Sequence, residues 1–157
     1  MLDVNKFDQY GFPRTESDIQ GITIHETGNI DMDAAAVQDY LNTECKTSGG
    51  YHYVVDSKEA IQLMPDDWAV YHTGKGKDWG CRYTIAVSIC SSLSDVDYQA
   101  AQDRAVSLIK NLQEEYQIPN EMVFFHNDFQ SSAYCPKTIL DRYKTSKNFA
   151  YQELEGE

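Results

Sequence analysis

The sequence lacks the features that mark membrane-spanning, secreted and repetitive proteins. No apolar run approaches the roughly 20 residues that a membrane-spanning helix needs. The N-terminal segment MLDVNKFDQYGFPRTESD is polar and of mixed charge, which does not fit a secretory signal. There is no internal repeat and no low-complexity segment. We therefore expect a protein without a membrane span that is cytoplasmic as synthesised, and that leaves the cell, if at all, by a route this chain does not encode.

Basic residues are scarce as well. The chain has 13 Lys and Arg against 25 Asp and Glu, which gives a formal net charge of −12 at pH 7. Nucleic acids and anionic lipids are themselves negative and favour partners with a positive surface. The charge therefore argues against nucleic acid or an anionic membrane surface as a partner.

The cysteines form no C-x-x-C pair. In a chain without a signal peptide, isolated cysteines are by default reduced thiols that pack as small hydrophobes. Cys90 ends the apolar run TIAVSIC and is interpreted as core, as is Cys81, and Cys45 is assigned no role. Cys135 differs because of the residues around it.

What the chain does contain is enough for one folded domain. Its 157 residues are 41% hydrophobic and 12% aromatic, values typical of a globular protein with a single core. Five short apolar stretches predict β-strands, at residues 21–27, 51–56, 59–64, 84–90 and 122–126. The Ser57–Lys58 dipeptide suggests that the second and third of these form a hairpin. Helical segments alternate with the strands, so we predict an α/β domain with a central mixed β-sheet flanked by helices.

Three helices are predicted. Residues 31–44 open with acidic side chains that suit the positive end of a helix dipole. A longer helix from about Asp97 to Gln117 carries an apolar stripe, which indicates core packing. A last helix begins near Pro136, at a first helical position, and frays into an acidic tail. The expected organisation is an N-terminal segment over 1–20, the domain over 21–145, and a tail over 146–157.

His25 and His126 share an unusual setting. Each ends a strand of mostly apolar residues and is followed by a polar loop. If the two strands are neighbours, both imidazoles emerge at one edge of the sheet, and Cys135 can fold back to meet them. Two neutral imidazoles and a thiolate, with the fourth tetrahedral position left to water, would make an open catalytic zinc site.

Four segments also resemble a known family in the right order along the chain. ITIHETGN, GYHYVVDSKEAIQLMPDDWAVYHTGKG, TIAVSIC and FFHNDFQSSAYCP are similar to the type-2 N-acetylmuramoyl-L-alanine amidases, the zinc enzymes of phage lysins, bacterial autolysins and animal peptidoglycan recognition proteins. The resemblance spans about Ile22 to Leu140. It implies the α/β fold of that family and one Zn²⁺ per chain, held by His25, His126 and Cys135.

The same resemblance implies a substrate and a reaction. The substrate would be peptidoglycan, and the bond hydrolysed would be the amide between N-acetylmuramic acid and the L-alanine of the stem peptide. The protein would act on the cell wall after release, and we expect a monomer.

Two further residues gain roles from this resemblance. His72 matches a family histidine that lies beside the metal without binding it, so it would orient substrate or stabilise an oxyanion. Tyr51 matches a tyrosine that serves some members as a catalytic group, although it could equally be a half-buried strand aromatic. His52 points to the opposite face from Tyr51 and is interpreted as a buried, hydrogen-bonded histidine.

The chain also departs from the family pattern at two positions. Ser88 stands where many relatives carry a glutamate as general base, which moves that role to Tyr51. Ala133 stands where many carry a lysine that helps to hold the oxyanion. The loop is one residue longer than usual, so Ser131 or Ser132 could turn inward instead. Ser88 and Ser132 are therefore weaker candidates for substrate or oxyanion contacts.

These departures keep two alternatives open. One is a peptidoglycan-binding module that retains zinc and hydrolyses slowly or not at all. The other is a purely structural zinc protein, which the lack of an evident fourth ligand disfavours. Retention of Cys135 favours the enzyme over the binding module.

Overall fold

The computed structural model describes residues 1–74 and 76–155. Its strands are β1 (Gly11–Pro13), β2 (Gly21–Glu26), β3 (Tyr53–Val55), β4 (Ala60–Gln62), β5 (Trp68–Val70), β6 (Thr84–Ile89) and β7 (Val123–Phe125). Five of them form a mixed sheet in the order β4-β3-β6-β2-β7, in which only β4 runs antiparallel to its neighbour. The predicted fold class is confirmed.

The five predicted strands all lie in this sheet, each within the expected range. The expected hairpin is present, with Val54 of β3 paired to Ile61 of β4. The sequence did not predict β1 and β5, which pair with each other as a separate two-stranded sheet. Each has three residues, and β1 ends in a proline, so neither shows a strand pattern that could be recognised from the sequence.

The helices are α1 (Phe7–Tyr10), α2 (Ala34–Thr43), α3 (Trp79–Tyr83), α4 (Asp95–Tyr116), α5 (His126–Phe129), α6 (Lys137–Tyr143) and α7 (Ser146–Phe149). Helix α4 is the long helix predicted from the sequence. It begins where the Ser94 hydroxyl accepts the Asp97 N–H at 3.2 Å, and it ends at Gln117, whose backbone is left-handed. Pro136 lies just outside α6, at its N-cap. No helix among the described residues is both long and apolar enough to cross a membrane.

The two faces of the sheet differ in chemistry. Alternate residues of β2 and β6, such as Ile22, Ile24 and Val87, point into an apolar core with α4 and α6. The residues between them point to the other face and include His25, Ser88 and two hydrogen-bonded threonines (Thr23 and Thr84). His25 and Ser88, two of the site residues predicted from the sequence, therefore lie on this polar face.

The N-terminal segment packs against this domain. The Leu2 N–H donates to the Leu63 carbonyl at 2.8 Å, and the buried Tyr10 hydroxyl donates to the Leu41 carbonyl at 2.6 Å. Both contacts lie on the same side of the sheet as α2. Residues 1–20 are thus part of the packed structure.

The C-terminal residues differ from the expected tail. Residues 146–154 form α7 and a π-helical turn (Ala150–Leu154), and the Phe149 side chain is fully buried. Its ring packs edge-on against Phe125 and Tyr143, with centroid separations of 5.9 and 5.1 Å. Burial of the Phe149 ring holds this segment against the domain although most of its residues are polar. Residues 156 and 157 of the predicted tail lie outside the described residues.

Candidate metal centre

The carboxyl ends of β2 and β7 bring two histidines together. The strands are parallel neighbours, with Ile24 paired to Phe125, so His25 and His126 follow at the same edge. Their ring centroids are 4.7 Å apart, and the Cys135 sulfur lies 3.8 Å from His25 Nδ1. One ligand atom from each of the three side chains lies within 4.8 Å of the other two. The residues expected to bind zinc therefore converge.

The loop between His126 and Cys135 is closed by its own backbone. The Asn127 N–H donates to the Cys135 carbonyl at 3.1 Å, which joins the two ends of the loop. At the start of α5, the Asp128 carboxylate accepts the Phe125 N–H at 2.8 Å. These bonds fix the direction in which the chain leaves β7, and with it the position of the His126 ring.

His25 and His126 each have a protein partner at Nε2. His25 Nε2 lies 2.8 Å from His72 Nδ1, and His126 Nε2 lies 2.9 Å from the Gln130 side-chain oxygen. That oxygen can accept only from the tautomer that carries its proton on Nε2, which is the tautomer that leaves the Nδ1 lone pair for a metal. Such outer partners set the tautomer and orientation of metal-binding histidines.

Burial favours the uncharged form of all three candidate ligands. It holds the pKa values of His25 and His72 well below the usual range, with neighbouring imidazoles adding to the effect, and it lowers the pKa of His126. Burial also raises the pKa of the Cys135 thiol to about 11. Neutral imidazoles suit a metal directly, whereas the thiol must lose its proton on binding.

This donor set fits Zn²⁺. Two imidazole nitrogens and one sulfur are ligands that zinc prefers, and among the described residues no fourth His, Cys, Asp or Glu joins the cluster. Three protein ligands with an open position are typical of catalytic zinc sites rather than structural ones.

The ligands line a cavity of about 610 Å³ on the polar face of the sheet. Its lining also includes Tyr51, His72 and the backbone around Gly49–Gly50. The volume lies within the range of small-molecule sites, about 300–1,000 Å³. Tyr51 and His72, both predicted from the sequence, are therefore beside the ligands.

Tyr51 is half-buried, and its ring centroid lies 5.2 Å from that of His25. Burial raises the pKa of its hydroxyl to about 12, and the nearby Cys135 adds to the rise. The phenol therefore keeps its proton at neutral pH and is available as a hydrogen-bond donor.

Ser88 is paired with His25 across β6 and β2, so their side chains share a face. Its hydroxyl is fully buried and has no hydrogen-bond partner among the described residues. It lies close enough to Tyr51 to oppose the rise in that pKa, although the pair does not meet hydrogen-bond geometry. A buried hydroxyl without a partner is costly, but Ser88 is not among the residues that line the cavity, so its contact with substrate stays a prediction.

The other weak candidate, Ser132, lies elsewhere. Ser131 and Ser132 are both exposed at the outside of the loop, and neither lines the cavity. Ala133 is half-buried, and its N–H donates to the Gln130 carbonyl at 2.9 Å. The loop therefore brings Gln130, and not a serine, to the site.

Two residues at the site were not predicted from the sequence. Gln130 contacts His126, four positions earlier; this spacing places two side chains on one face of a helical turn and would have indicated the pair had α5 been predicted. Glu26 follows His25 and contacts α6, a long-range contact that no local pattern signals. Gly74, with φ of +87°, lies directly against Gln130. Any other residue at position 74 would place its Cβ in the space of the Gln130 carboxamide.

His52 lies apart from this cluster and is fully buried, as predicted. Its Nδ1 accepts the Ala86 N–H at 2.9 Å, and its Nε2 donates to the Trp68 carbonyl at 2.6 Å. Both ring nitrogens are therefore occupied by backbone groups, which is the arrangement of a structural histidine.

Comparison with known proteins places the chain among amidases. Residues 15–138 match the family model described as N-acetylmuramoyl-L-alanine amidase. The chain is 38% identical over 141 residues to the amidase XlyB of Bacillus subtilis (strain 168), covering 86% of this chain and 43% of that protein. It is 37% identical over 123 residues to the amidase CwlA of a Bacillus species, covering 76% and 47%.

Among solved structures, the catalytic domain of XlyA superposes with a TM-score of 0.78 at 31% identity, covering 90% of this chain and 91% of that domain. The chain thus spans about half the length of the curated relatives it matches, and nearly all of one relative's catalytic domain. With a family match over most of its residues, the chain belongs to the type-2 N-acetylmuramoyl-L-alanine amidase family.

Proposed function

We propose that this chain is a zinc-dependent peptidoglycan hydrolase that cleaves the amide between N-acetylmuramic acid and the L-alanine of the stem peptide. The observation that carries the proposal is the convergence of His25, His126 and Cys135 within 4.8 Å at the wall of an open cavity. The relatives named as amidases of this bond support the substrate class.

Amide hydrolysis needs a strong nucleophile and a group that stabilises the developing oxyanion. A zinc ion held by the three ligands would supply a Lewis acid for the scissile carbonyl and a nucleophile that is strong at neutral pH. The residues of the chain then bind and orient the substrate and stabilise the charge that develops.

Tyr51 is the residue best suited to that last role. Its hydroxyl keeps its proton, its ring contacts His25, and it lines the cavity. A donor aimed at the oxyanion acts mainly in the transition state, so its effect falls on kcat. Ser88 lies beside it as a second, weaker polar group.

His72 acts through His25 in this proposal. Its Nδ1 is 2.8 Å from His25 Nε2, and its Nε2 is 3.3 Å from the Thr84 hydroxyl, so both nitrogens face protein groups. This arrangement supports an orienting role at the ligand over direct contact with substrate.

The test is digestion of purified cell walls. The protein should release soluble fragments with new L-alanine amino termini, and a chelator should stop the release. Metal analysis should give about one zinc per chain. Cys135→Ser should lower the zinc content sharply, and Cys45→Ser, which alters a cysteine outside the cavity lining, should not.

Each part of the proposal can fail separately. Full zinc in Cys135→Ser would refute the ligand assignment. Zinc binding and cell-wall binding without release of amino termini would favour the non-hydrolysing module. Release of other termini would place the cleavage at a different bond.

A further inference from the structure

We propose that Glu26 is a positioning residue of the metal centre, whose carboxylate fixes the Cys135 segment against the strand that carries His25. The inference rests on the proposed metal site and assigns a role to a residue outside the ligand set. Three observations on Glu26 support it: four hydrogen bonds to its carboxylate, its capping of α6, and its contact with the Cys135 sulfur.

The Glu26 carboxylate is saturated by donors from three different elements. One oxygen accepts the Tyr98 hydroxyl of α4 at 3.0 Å and the Thr138 N–H at 2.8 Å. The other accepts the Ser91 hydroxyl at 2.7 Å and the Thr138 hydroxyl at 3.0 Å. A single half-buried carboxylate therefore joins the end of β2 to the segment after β6, to α4 and to α6.

Its contact with α6 replaces a cap that the local sequence does not provide. The first N–H groups of a helix have no partner within the helix, and a side chain at the N-cap often supplies one. Here the N-cap residue is Pro136, which makes no side-chain cap. Glu26, 112 positions earlier, accepts the Thr138 N–H instead and holds the start of α6 from outside.

The start of α6 is also where Cys135 lies. The Glu26 N–H donates to the Cys135 sulfur at 3.4 Å, and the Glu26 side chain binds Thr138, three residues further on. The segment from Cys135 to Thr138 is therefore attached at both ends to the residue next to His25. This attachment fixes the 3.8 Å separation between the Cys135 sulfur and His25 Nδ1.

A purely structural role would predict a loss of stability without a selective effect on the metal site. Gln102 provides the matched comparison, because it is buried and also links α4 to α6, but at the far end of α6. It donates to the Tyr143 hydroxyl at 2.7 Å and accepts from Arg142 at 2.6 Å. Gln102→Leu removes helix-to-helix hydrogen bonds while leaving the Cys135 end of α6 in place.

The experiment compares Glu26→Leu, Glu26→Gln and Gln102→Leu with the parent in the full chain. Zinc affinity is measured by chelator competition, and Co²⁺ substitution reports thiolate ligation through the sulfur-to-metal charge-transfer band. The alkylation rate of Cys135 in metal-free protein, mapped by mass spectrometry, reports its position independently of any metal. Thermal unfolding of each metal-free variant monitors the fold.

Glu26→Leu should lower zinc affinity by about 10- to 100-fold, the usual range for lost outer-shell partners, and should weaken the Co²⁺–thiolate band. Alkylation of Cys135 should speed up several-fold. Glu26→Gln keeps an acceptor for the Thr138 N–H and should stay close to the parent. Because both variants remove the negative charge near Cys135, their difference isolates the hydrogen bonds.

Gln102→Leu should lower the unfolding temperature and leave zinc affinity and alkylation unchanged. Equal zinc affinity and equal alkylation in Glu26→Leu and the parent would overturn the proposal. So would a Gln102→Leu variant that loses as much zinc affinity as Glu26→Leu. A parent that binds no zinc would refute the proposed function, and the alkylation rates would still decide whether Glu26 positions Cys135.

Discussion

His25 and His52 are both buried histidines with pKa values far below the usual range, yet their surroundings differ. The two nitrogens of His52 are occupied by backbone groups, an N–H on one side and a carbonyl on the other. His25 Nε2 faces His72, and its Nδ1 faces the Cys135 sulfur at 3.8 Å, with the His126 ring close by. Burial and a shifted pKa are common to both, so the candidate ligand is distinguished by a ring nitrogen that faces other candidate ligands, whereas both nitrogens of the structural residue face backbone groups.

The largest effect, a loss of zinc, should distinguish single substitutions of His25 and His52. His25→Ala removes one of three ligands, and metal analysis should show zinc falling from about one per chain to near background. His52→Gln should keep the zinc and lower the free energy of unfolding, because its hydrogen bonds to Ala86 and Trp68 are imperfectly replaced. Loss of zinc in His52→Gln with retention in His25→Ala would reverse the distinction.

The next effect concerns Tyr51, the sequence neighbour of His52 that faces the cavity. Tyr51→Phe removes the hydroxyl and keeps the ring, so the fold and zinc content should be retained while kcat on cell walls falls by roughly 10²-fold. Ser88→Ala is the matched variant and should have the smaller effect. If Ser88→Ala abolishes activity while Tyr51→Phe digests walls at the parental rate, the roles of the two residues are exchanged.

A smaller effect is expected at the outer partner of His126. Gln130→Leu removes the acceptor that orients the ring, and zinc affinity should fall by about 10- to 100-fold. Gln130→Glu keeps an acceptor at the same reach and should retain affinity. Chelator competition measures both, and a Gln130→Leu variant with parental affinity would show that the loop backbone alone orients His126.

The smallest effect is the contribution of His52 to the pH dependence of the free energy of unfolding. Burial, with the Arg14 guanidinium beside it, holds the pKa of His52 well below the value of about 6.5 in the unfolded chain. Below about pH 6.5 the unfolded state binds more protons at this residue than the folded state does. The free energy of unfolding therefore falls by about 1.4 kcal/mol for each unit by which the pH drops. Urea unfolding of metal-free protein between about pH 6 and pH 5 should show a slope smaller by that amount in His52→Gln. An unchanged slope would mean that His52 is protonated in the folded state.

The central sheet and the convergence of the three candidate ligands could be predicted, because local sequence patterns indicate both. β2 and β7 appear as apolar runs, and a histidine at the end of each run marks the sheet edge where both emerge. The choice of parallel neighbours was an assumption that the pairing of Ile24 with Phe125 confirms. Cys135 was identified by its chemistry, since a thiol near two such histidines is an unusual combination.

The remaining features depend on contacts that sequence separation conceals. Glu26 is locally just a polar residue at a strand end, and its four hydrogen bonds come from three residues that lie 65 to 112 positions away. Phe149 lies in the mostly polar stretch SKNFAYQE, so its segment resembles a tail until Phe125 and Tyr143 are brought beside it. Ser132 and Gln130 are two positions apart in one polar loop, and only the turn of α5 decides which of them contacts His126.

The placement of β2 between β6 and β7 has a consequence for the order of folding. His25 and Cys135 are separated by 110 positions, and β2 can pair with β6 before β7 exists in the growing chain. Long-range parallel pairing is the slow part of folding a sheet, so the last ligand arrives after most of the chain has been ordered. A fragment that ends before residue 123 could build three strands of the parallel sheet and still hold only one of the three candidate ligands. Zinc uptake during refolding should therefore follow the docking of β7 and α6, and would serve as a kinetic marker for the completed fold.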